Sequence, residues 1–322
     1  MFLTPNEFDT FVADVTTDER IGVDGVSLVV IEGDEPPTQS PGSLPIVVAW
    51  VADVLGGDGP VAADVVVGPG DVDRVAELVA TNPLAATSLA TLLRGSAAAP
   101  VDEALALESA NYSMLQAGPE FAAWRSTRPP ALMPTDDAPT VRAERHDDVV
   151  TVELHRPARH NAITSRLRDD LVAALTVAAV DDTVERVVLR GAGASFCSGG
   201  DLDEFGSRAD PATAHRIRLA RSPARLLHRL AARLHVQLHG AVLGGGIEMA
   251  AFAGRVTAHP DTRFGLPETR LGLVPGAGGT VSLPRRIGRQ RTMALAIGTD
   301  TIGVDVALEW GLVDEIDATW NG

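Results

Sequence analysis

Residues 196–202 read FCSGGDL, residues 243–248 read LGGGIE, and residues 264–268 read FGLPE. The first two stretches are glycine turns, and each follows a short apolar run with the composition of a strand, at 187–189 and 236–238. Glycine adopts backbone dihedrals that other residues avoid and lets the chain approach a ligand closely. Two glycine turns and two glutamates in this order could hold a carbonyl oxygen and move protons beside it.

The two glycine turns predict an oxyanion hole. The turn at 244–246 opens a predicted helix, and the first N–H groups of a helix have no partner within it. One N–H from each turn, converging on a carbonyl oxygen, would stabilise negative charge there. Removal of one such donor typically costs about 10²–10³ in rate. Taken singly, either turn is more simply explained as a tight turn, because the chain has 31 glycines.

Glu248 and Glu268 are the candidate acid–base pair. Glu248 lies one turn into the predicted helix, between Ile247 and Met249, and Glu268 directly follows Pro267. A carboxyl group in an apolar cleft has a raised pKa, which suits proton transfer near neutral pH. Most glutamates are solvated surface residues, but the apolar and glycine neighbours of these two favour a buried site.

These motifs resemble the crotonase (enoyl-CoA hydratase/isomerase) superfamily. Two later stretches, 271–280 (LGLVPGAGGT) and 307–314 (ALEWGLVD), also match that family's pattern, so the resemblance covers about half of the chain. It implies that Gly200 and Gly245 donate the two oxyanion-hole hydrogen bonds. It further implies that Glu248 and Glu268 are the catalytic carboxylates.

The resemblance also predicts how coenzyme A is held. Residues 156–162 (RPARHNA) resemble the segment whose backbone binds the adenine end of coenzyme A. The residues implied to contact the thioester or its nucleotide are Ala158, Arg159, His160, Asn161, Ser198, Gly199, Asp201, Leu202 and Gly244. Arginines in the segment 216–233 could also reach its phosphates, although a solvated helix face explains most of them. No tightly bound cofactor is expected, because coenzyme A arrives as part of the substrate.

The predicted fold class is α/β, with short strands alternating with helices. Residues 141–322 are expected to form a crotonase-like spiral of short ββα units, and 128–140 a proline-rich linker. The sequence predicts strands at 26–31, 45–50, 65–67, 150–154, 187–189 and 236–238. It predicts helices at 72–93 and 102–124. A third helix is expected to begin after Thr164 or Ser165, either of which could be its N-cap. A fourth, at 214–234, is expected to be broken near Pro223.

Residues 1–127 are predicted to form an additional, acidic α/β region. The first 140 residues contain 5 arginines and 21 acidic residues, whereas the remainder contains 22 of each; the whole chain has a net charge of −16 and no lysine. Two hypotheses stay open for this region. It is either a degenerate crotonase-like half or an ordinary appended α/β domain.

Family members continue for several helices beyond the motif at 307–314, and those helices are expected to be absent after Gly322. The segment 101–124 resembles such a C-terminal helix, with Leu105, Glu108, Tyr112 and Leu115 near one face. We therefore expect the first half to supply the missing helical cover, within the chain or from a neighbouring subunit.

The function implied by the resemblance is that of an enoyl-CoA hydratase, which adds water across the 2,3 double bond of a 2-enoyl-CoA. Which glutamate is the acid and which the base stays open. An enoyl-CoA isomerase would need the same oxyanion hole. A non-catalytic acyl-CoA-binding or assembly subunit and a cofactor-free CoA oxygenase are further alternatives.

Other partners are expected to be few. No basic run interleaved with aromatics predicts nucleic-acid binding, no apolar run reaches membrane-spanning length, and the histidines lack metal-ligand spacing. A single cysteine, Cys197, and the lack of a leader pattern favour a cytoplasmic protein. The family resemblance implies a homo-oligomer, a trimer or a hexamer.

Overall fold

The computed structural model describes residues 1–96, 98–128, 138–207 and 210–319. Most of the predicted proline-rich linker, 129–137, lies outside these residues. Among the described residues, no helix combines the length and the apolar character that crossing a bilayer would require.

The helices alternate with short strands along the whole chain. The helices are α1 (Pro5–Ala13), α2 (Thr17–Asp24), α3 (Val72–Thr81), α4 (Pro83–Ser96), α5 (Val101–Gln116), α6 (Pro119–Ser126), α7 (Ser165–Val180), α8 (Pro211–Arg221), α9 (Ala224–Leu230), α10 (Gly245–Ala250), α11 (Gly279–Ile287), α12 (Arg289–Met293) and α13 (Val304–Glu309). The strands are β1 (Phe2–Leu3), β2 (Leu28–Ile31), β3 (Val47–Val51), β4 (Val65–Val67), β5 (Val141–His146), β6 (Val149–Leu154), β7 (Arg186–Gly191), β8 (Leu234–Leu238), β9 (Ala241–Leu243), β10 (Arg255–Ala258), β11 (Arg263–Gly265), β12 (Ile302–Gly303) and β13 (Glu315–Ile316).

The described strands form mostly parallel sheets, which confirms the predicted α/β class. The first half contributes a parallel sheet of order β1-β2-β3-β4. The second half contributes a sheet of order β13-β10-β8-β7-β6-β5, parallel except for the hairpin β5–β6, and a small sheet of order β12-β11-β9. Parallel strands are normally covered on both faces, and the side chains of β4 are buried accordingly.

Proline divides the long predicted helices. The helix predicted at 72–93 is two helices, α3 and α4, because α4 begins at Pro83, and the one predicted at 102–124 is divided before Pro119. The predicted break at Pro223 separates α8 from α9. Proline lacks the N–H that a continuing helix would use, so helices tend to begin or break at it. Thr164 caps α7 by accepting a hydrogen bond from the Leu167 amide (3.1 Å).

One continuous apolar core joins the two halves of the chain. It contains Leu89 and Tyr112 of the first half together with Leu175, Val236 and Leu283 of the second. A smaller cluster around Phe8 lies on the other face of the β1–β4 sheet. Burial of apolar surface is the main stabilising contribution in folding. Because the two halves share this core, each stabilises the other.

Polar contacts reinforce this packing where α4 meets α11. The Ser96 hydroxyl donates to the carbonyl oxygen of Thr280 (2.7 Å). The Arg285 guanidinium donates to the carbonyl oxygen of Ala99 (2.6 Å). The helical cover expected from the first half therefore lies on the second half within the same chain.

Candidate active site

A cavity of about 340 Å³ lies where the two halves meet. Its lining includes Gly200, Gly245, Glu248 and Glu268, which are the four residues predicted to be catalytic. Helix α5 of the first half contributes Tyr112 to the same wall. The structure therefore brings the predicted site residues together around one space and closes that space with a helix from the other half.

Backbone pairing holds the two glycine turns side by side. Cys197 donates from its amide to the carbonyl oxygen of Ala241 (3.1 Å), and the Leu243 amide donates back to Cys197 (2.9 Å). This pairing leaves the amides of Gly200 and Gly245 without a hydrogen-bond acceptor in the described parts of the chain. Two free amides beside one cavity are suitable donors to an oxyanion.

Close packing favours glycine in both turns. A Cβ atom on Gly200 would lie 2.5 Å from the ring of Phe205, and one on Gly245 would lie 2.7 Å from Cδ1 of Ile163. Gly244 has φ +48° and ψ −122°, and a Cβ atom there would overlap Oε1 of Glu268. The motif therefore places backbone, rather than side chains, against the cavity and the second carboxylate.

Glu248 is buried on α10, with 2% of its surface exposed. Its Oε2 accepts hydrogen bonds from the amides of Ala277 (2.7 Å) and Gly279 (2.8 Å). Burial raises the pKa of this carboxyl to about 7, although the amide donors oppose the shift by stabilising the charged form. Both protonation states of Glu248 are therefore accessible near neutral pH.

Glu268 is buried in the 3₁₀ turn Pro267–Leu271. Its Oε2 has no hydrogen-bond partner among the described residues. Burial, followed by the nearby charge of Glu248, raises the pKa of Glu268 well above its usual value. Because buried polar atoms are almost always paired, this oxygen is suited to meet a water molecule or a substrate proton.

A third buried carboxylate, Glu108 on α5, belongs to the same site. Its two oxygens accept hydrogen bonds from the amides of Gly278 (2.8 Å) and Thr280 (2.9 Å) and from the Thr280 hydroxyl (2.8 Å). Burial and the charge of Glu248 raise its pKa to about 8. Glu108 and Glu248 thus bind alternating amides of one loop, residues 277–280. Sequence reasoning placed Glu108 on a packing face but assigned it no site role.

Tyr112 and Arg218 form the part of the wall between α5 and α8. The Arg218 guanidinium carbon lies 4.2 Å from the Tyr112 ring centroid, which is cation–π geometry. The Tyr112 ring packs against Gly276, where a side chain would overlap it. Burial raises the pKa of Tyr112, so its phenol stays protonated. One sequence signal could have indicated Tyr112: it lies four positions after Glu108, so both polar side chains share an otherwise apolar helix face.

Most of the residues predicted to contact coenzyme A do not line this cavity. Asp201 lines it and accepts hydrogen bonds from Arg156 (3.2 Å) and Arg159 (3.3 Å). Residues 158–160 are exposed to solvent. Asn161 is buried, and its Nδ2 donates a hydrogen bond to the carbonyl oxygen of Ser195 (2.8 Å). The remaining predicted contacts follow the two turns without reaching the lining: Ser198, Gly199, Leu202 and Gly244. Their contact with the nucleotide stays a prediction.

The described residues give little support for catalysis by a cysteine nucleophile or by a metal ion. Burial raises the pKa of the Cys197 thiol to about 12, so its reactive thiolate form is disfavoured at neutral pH. In the described portion of the chain, no group of three or more His, Cys, Asp or Glu side chains is placed to hold a metal ion.

Comparison with known proteins identifies relatives of the second half. The family model described as enoyl-CoA hydratase/isomerase matches residues 144–321. The chain is 34% identical over 175 residues to the 2,3-dehydroadipyl-CoA hydratase of Escherichia coli K12, which covers 53% of this chain and 67% of that protein. It is 33% identical over 175 residues to the 1,2-epoxyphenylacetyl-CoA isomerase of the same organism, covering 52% of this chain and 66% of that one.

Solved structures agree with this result. An enoyl-CoA hydratase from Thermoplasma volcanium GSS1 superposes with a TM-score of 0.51 at 32% identity, covering 56% of this chain and 73% of that one. An enoyl-CoA hydratase from Bacillus anthracis gives a TM-score of 0.51 at 30% identity, covering 55% of this chain and 70% of that one. The crotonase-type fold predicted from the sequence is confirmed for the matched region.

Proposed function

The chain belongs to the enoyl-CoA hydratase/isomerase family of enzymes, and from this premise we propose that it is an enoyl-CoA hydratase. The reaction adds water across the 2,3 double bond of a 2-enoyl-CoA and gives a 3-hydroxyacyl-CoA. One observation carries the proposal: two amides without acceptors and two buried carboxylates line the same cavity. Coenzyme A enters as part of the substrate, and no resident cofactor is needed.

The amides of Gly200 and Gly245 bind the thioester oxygen. Attack of water on C3 moves electron density onto that oxygen, and the two N–H groups stabilise the enolate-like charge. Donors that are already oriented lose no free energy to reorganisation when the charge develops. Protonation at C2 then completes the addition, so that one water oxygen and two hydrogens enter the product.

The two glutamates divide the proton transfers. Glu248 receives two amide hydrogen bonds that stabilise its charged form, so it accepts the proton of the attacking water. Glu268 has an oxygen without a donor among the described residues, and burial and the charge of Glu248 disfavour its ionised form, so it holds a proton and delivers it to C2. Carboxyl groups whose environments separate their pKa values commonly take opposite roles.

A panel of coenzyme A thioesters tests the proposal. Wild-type protein should convert 2-enoyl-CoA to 3-hydroxyacyl-CoA, with the products separated by chromatography. Conversion of 3-enoyl-CoA to 2-enoyl-CoA without hydration would instead indicate an isomerase. Binding without turnover would indicate an acyl-CoA-binding subunit, and oxygen consumption with an arylacetyl-CoA an oxygenase. Any of these three results would reject the hydratase assignment.

A further inference from the structure

Two arginines line the cavity, and they differ in their partners. Arg168 binds the carboxylate of Asp169 through Nε (3.0 Å) and Nη2 (2.9 Å). Arg218 has no carboxylate within ion-pair distance among the described residues. Asp169 is shared with Arg221, and the charge of Glu108 acts on Arg218 only at longer range than an ion pair. Of the two cavity arginines, Arg218 is therefore the one that forms no direct ion pair among the described residues.

Neutral groups fix the position of Arg218. Its Nη1 donates to the carbonyl oxygen of Ser109 (3.1 Å) and to the hydroxyls of Ser109 (3.1 Å) and Ser113 (3.0 Å). Its guanidinium also stacks on Tyr112. These contacts orient the cation without neutralising it, and Nε and Nη2 have no acceptor in the described structure. A largely desolvated cation without a direct ion pair is unfavourable, so an anion that reached Nε and Nη2 from the cavity would be stabilised.

The surroundings of Arg218 are those of an acyl-binding wall. Ile217, Pro223 and Met249 line the same cavity and are apolar, as an acyl chain requires. The segment 158–160, the predicted contact for the nucleotide end, does not reach this lining. A phosphate of coenzyme A is therefore a poorer match for Arg218 than a group on the acyl chain.

We propose that Arg218 binds a carboxylate at the far end of the acyl chain, so that the substrates are ω-carboxy acyl-CoA thioesters. This inference rests on the proposed function for the identity of the thioester, and it adds the class of acyl group. Guanidinium matches the planar geometry of a carboxylate and forms paired hydrogen bonds with it. The free Nε and Nη2 edge is the edge that such pairing uses.

Binding measurements test the inference without requiring turnover. We would measure dissociation constants, by calorimetry, for saturated acyl-CoA thioesters of several chain lengths and for their ω-carboxy counterparts. Wild-type protein should bind the best ω-carboxy thioester more tightly than its unsubstituted partner. Arg218→Gln should reduce that preference about ten- to hundredfold, the usual effect of losing a hydrogen bond to a charged group.

Arg216→Gln is the matched control, because Arg216 is exposed on the same helix. It should leave the preference unchanged. Equal weakening of both thioesters by Arg218→Gln would show a contact with coenzyme A itself or a structural role, and would overturn the inference. If Arg218→Gln does not fold, the wild-type measurements still test the inference. If the wild-type protein shows no preference for ω-carboxy thioesters at any chain length, the proposed carboxylate site is rejected.

The two proposals fail separately. If wild type hydrates an unsubstituted 2-enoyl-CoA but shows no preference for ω-carboxy thioesters, only the assignment of Arg218 is wrong. If it binds ω-carboxy thioesters selectively but hydrates no 2-enoyl-CoA of either kind, only the hydratase assignment is wrong.

Discussion

Glu248 and Glu268 differ at the scale of single hydrogen bonds. Glu248 has two amide donors on one oxygen, whereas Glu268 has an oxygen with none among the described residues. Burial acts on both, so the donors decide which carboxyl is ionised first. In the proposed mechanism, Glu248 therefore accepts a proton and Glu268 donates one.

The pH dependence of hydration follows from this difference. Glu248 must be ionised to accept a proton, and its pKa is about 7, so kcat/KM should rise as pH increases through that value. Glu268 must be protonated to donate, and its pKa is raised by burial and by the charge of Glu248, so kcat/KM should fall again as it ionises at higher pH. A pH series of initial rates measures this profile. A rate that is already maximal and constant at acidic pH would contradict the assigned roles.

Gly244→Ala tests the close contact between the second turn and Glu268. The added methyl group would overlap Oε1 of Glu268 at a backbone conformation that alanine rarely adopts. We expect destabilisation by about 1–3 kcal/mol and a large loss of kcat, measured by denaturant unfolding and by hydration. Gly70→Ala is the control, because a Cβ atom there meets nothing within 4 Å. A Gly244→Ala protein with wild-type kcat would contradict the proposed placement.

At the scale of residues, the sequence is most informative where close approach of the backbone favours glycine. The motifs indicated Gly200, Gly245, Glu248 and Glu268, which the structure places around one cavity. Positive φ occurs at the neighbouring Gly199 and Gly244, where few residues other than glycine are tolerated. Glu108 and Arg218 could not be assigned, because their roles depend on contacts across more than a hundred residues of chain. Local sequence pattern contains no information about which distant surface a helix face will meet.

At the scale of elements, α5 is the link between the halves. Its Glu108 holds two amides of the loop 277–280, and Glu248 holds the two amides that alternate with them. The loop that stabilises the charge on Glu248 is therefore fixed from both sides. We therefore expect Glu108 to act as a positioning residue for Glu248.

Glu108→Gln should weaken this arrangement, because an amide nitrogen cannot accept the hydrogen bonds that a carboxylate oxygen accepts. Leaving a buried amide unpaired should cost about 1–3 kcal/mol in unfolding free energy. The acidic limb of the kcat/KM profile, assigned to Glu248, should also shift, because Glu108 holds the loop whose amides donate to Glu248. Glu103→Gln, an exposed change on the same helix, should alter neither quantity. An unchanged pH profile in Glu108→Gln would leave Glu108 a purely structural residue.

The sequence predicted about half of the described elements, but not their ends. Strands β2, β3 and β4 overlap the predicted runs, since buried parallel strands appear as short β-branched stretches. Helices α1 and α2 were not predicted, because they are only nine and eight residues long and so show few turns of the helical pattern. The division at Pro83 was also missed, although proline at that position was visible in the sequence.

At the scale of the whole molecule, the two halves share one core and one cavity. The hypothesis of helical cover from the first half agrees with this packing, whereas an independent appended domain would have a separate core. The distance along the chain between α5 and the loop it holds is the reason that sequence alone left both hypotheses open.

A chain that begins at Pro139 should therefore be insoluble or inactive. Removal of α4 and α5 would expose apolar surface on α11 and leave the amides of Gly278 and Thr280 without Glu108. Size-exclusion chromatography and hydration assays measure the outcome. Co-expression with residues 1–128 serves as the control and should restore soluble protein. A stable, active chain from Pro139 onward would show that the first half is dispensable.

The most direct test is a double-mutant cycle on hydration of a 2-enoyl-CoA. Glu248→Gln and Glu268→Gln should each lower kcat by about 10²–10⁴. Because both groups act on one water and one substrate, the double variant should be little slower than the slower single variant. Independent, multiplying losses, or a wild-type protein that forms no 3-hydroxyacyl-CoA, would contradict the joint action of the two carboxylates at one thioester.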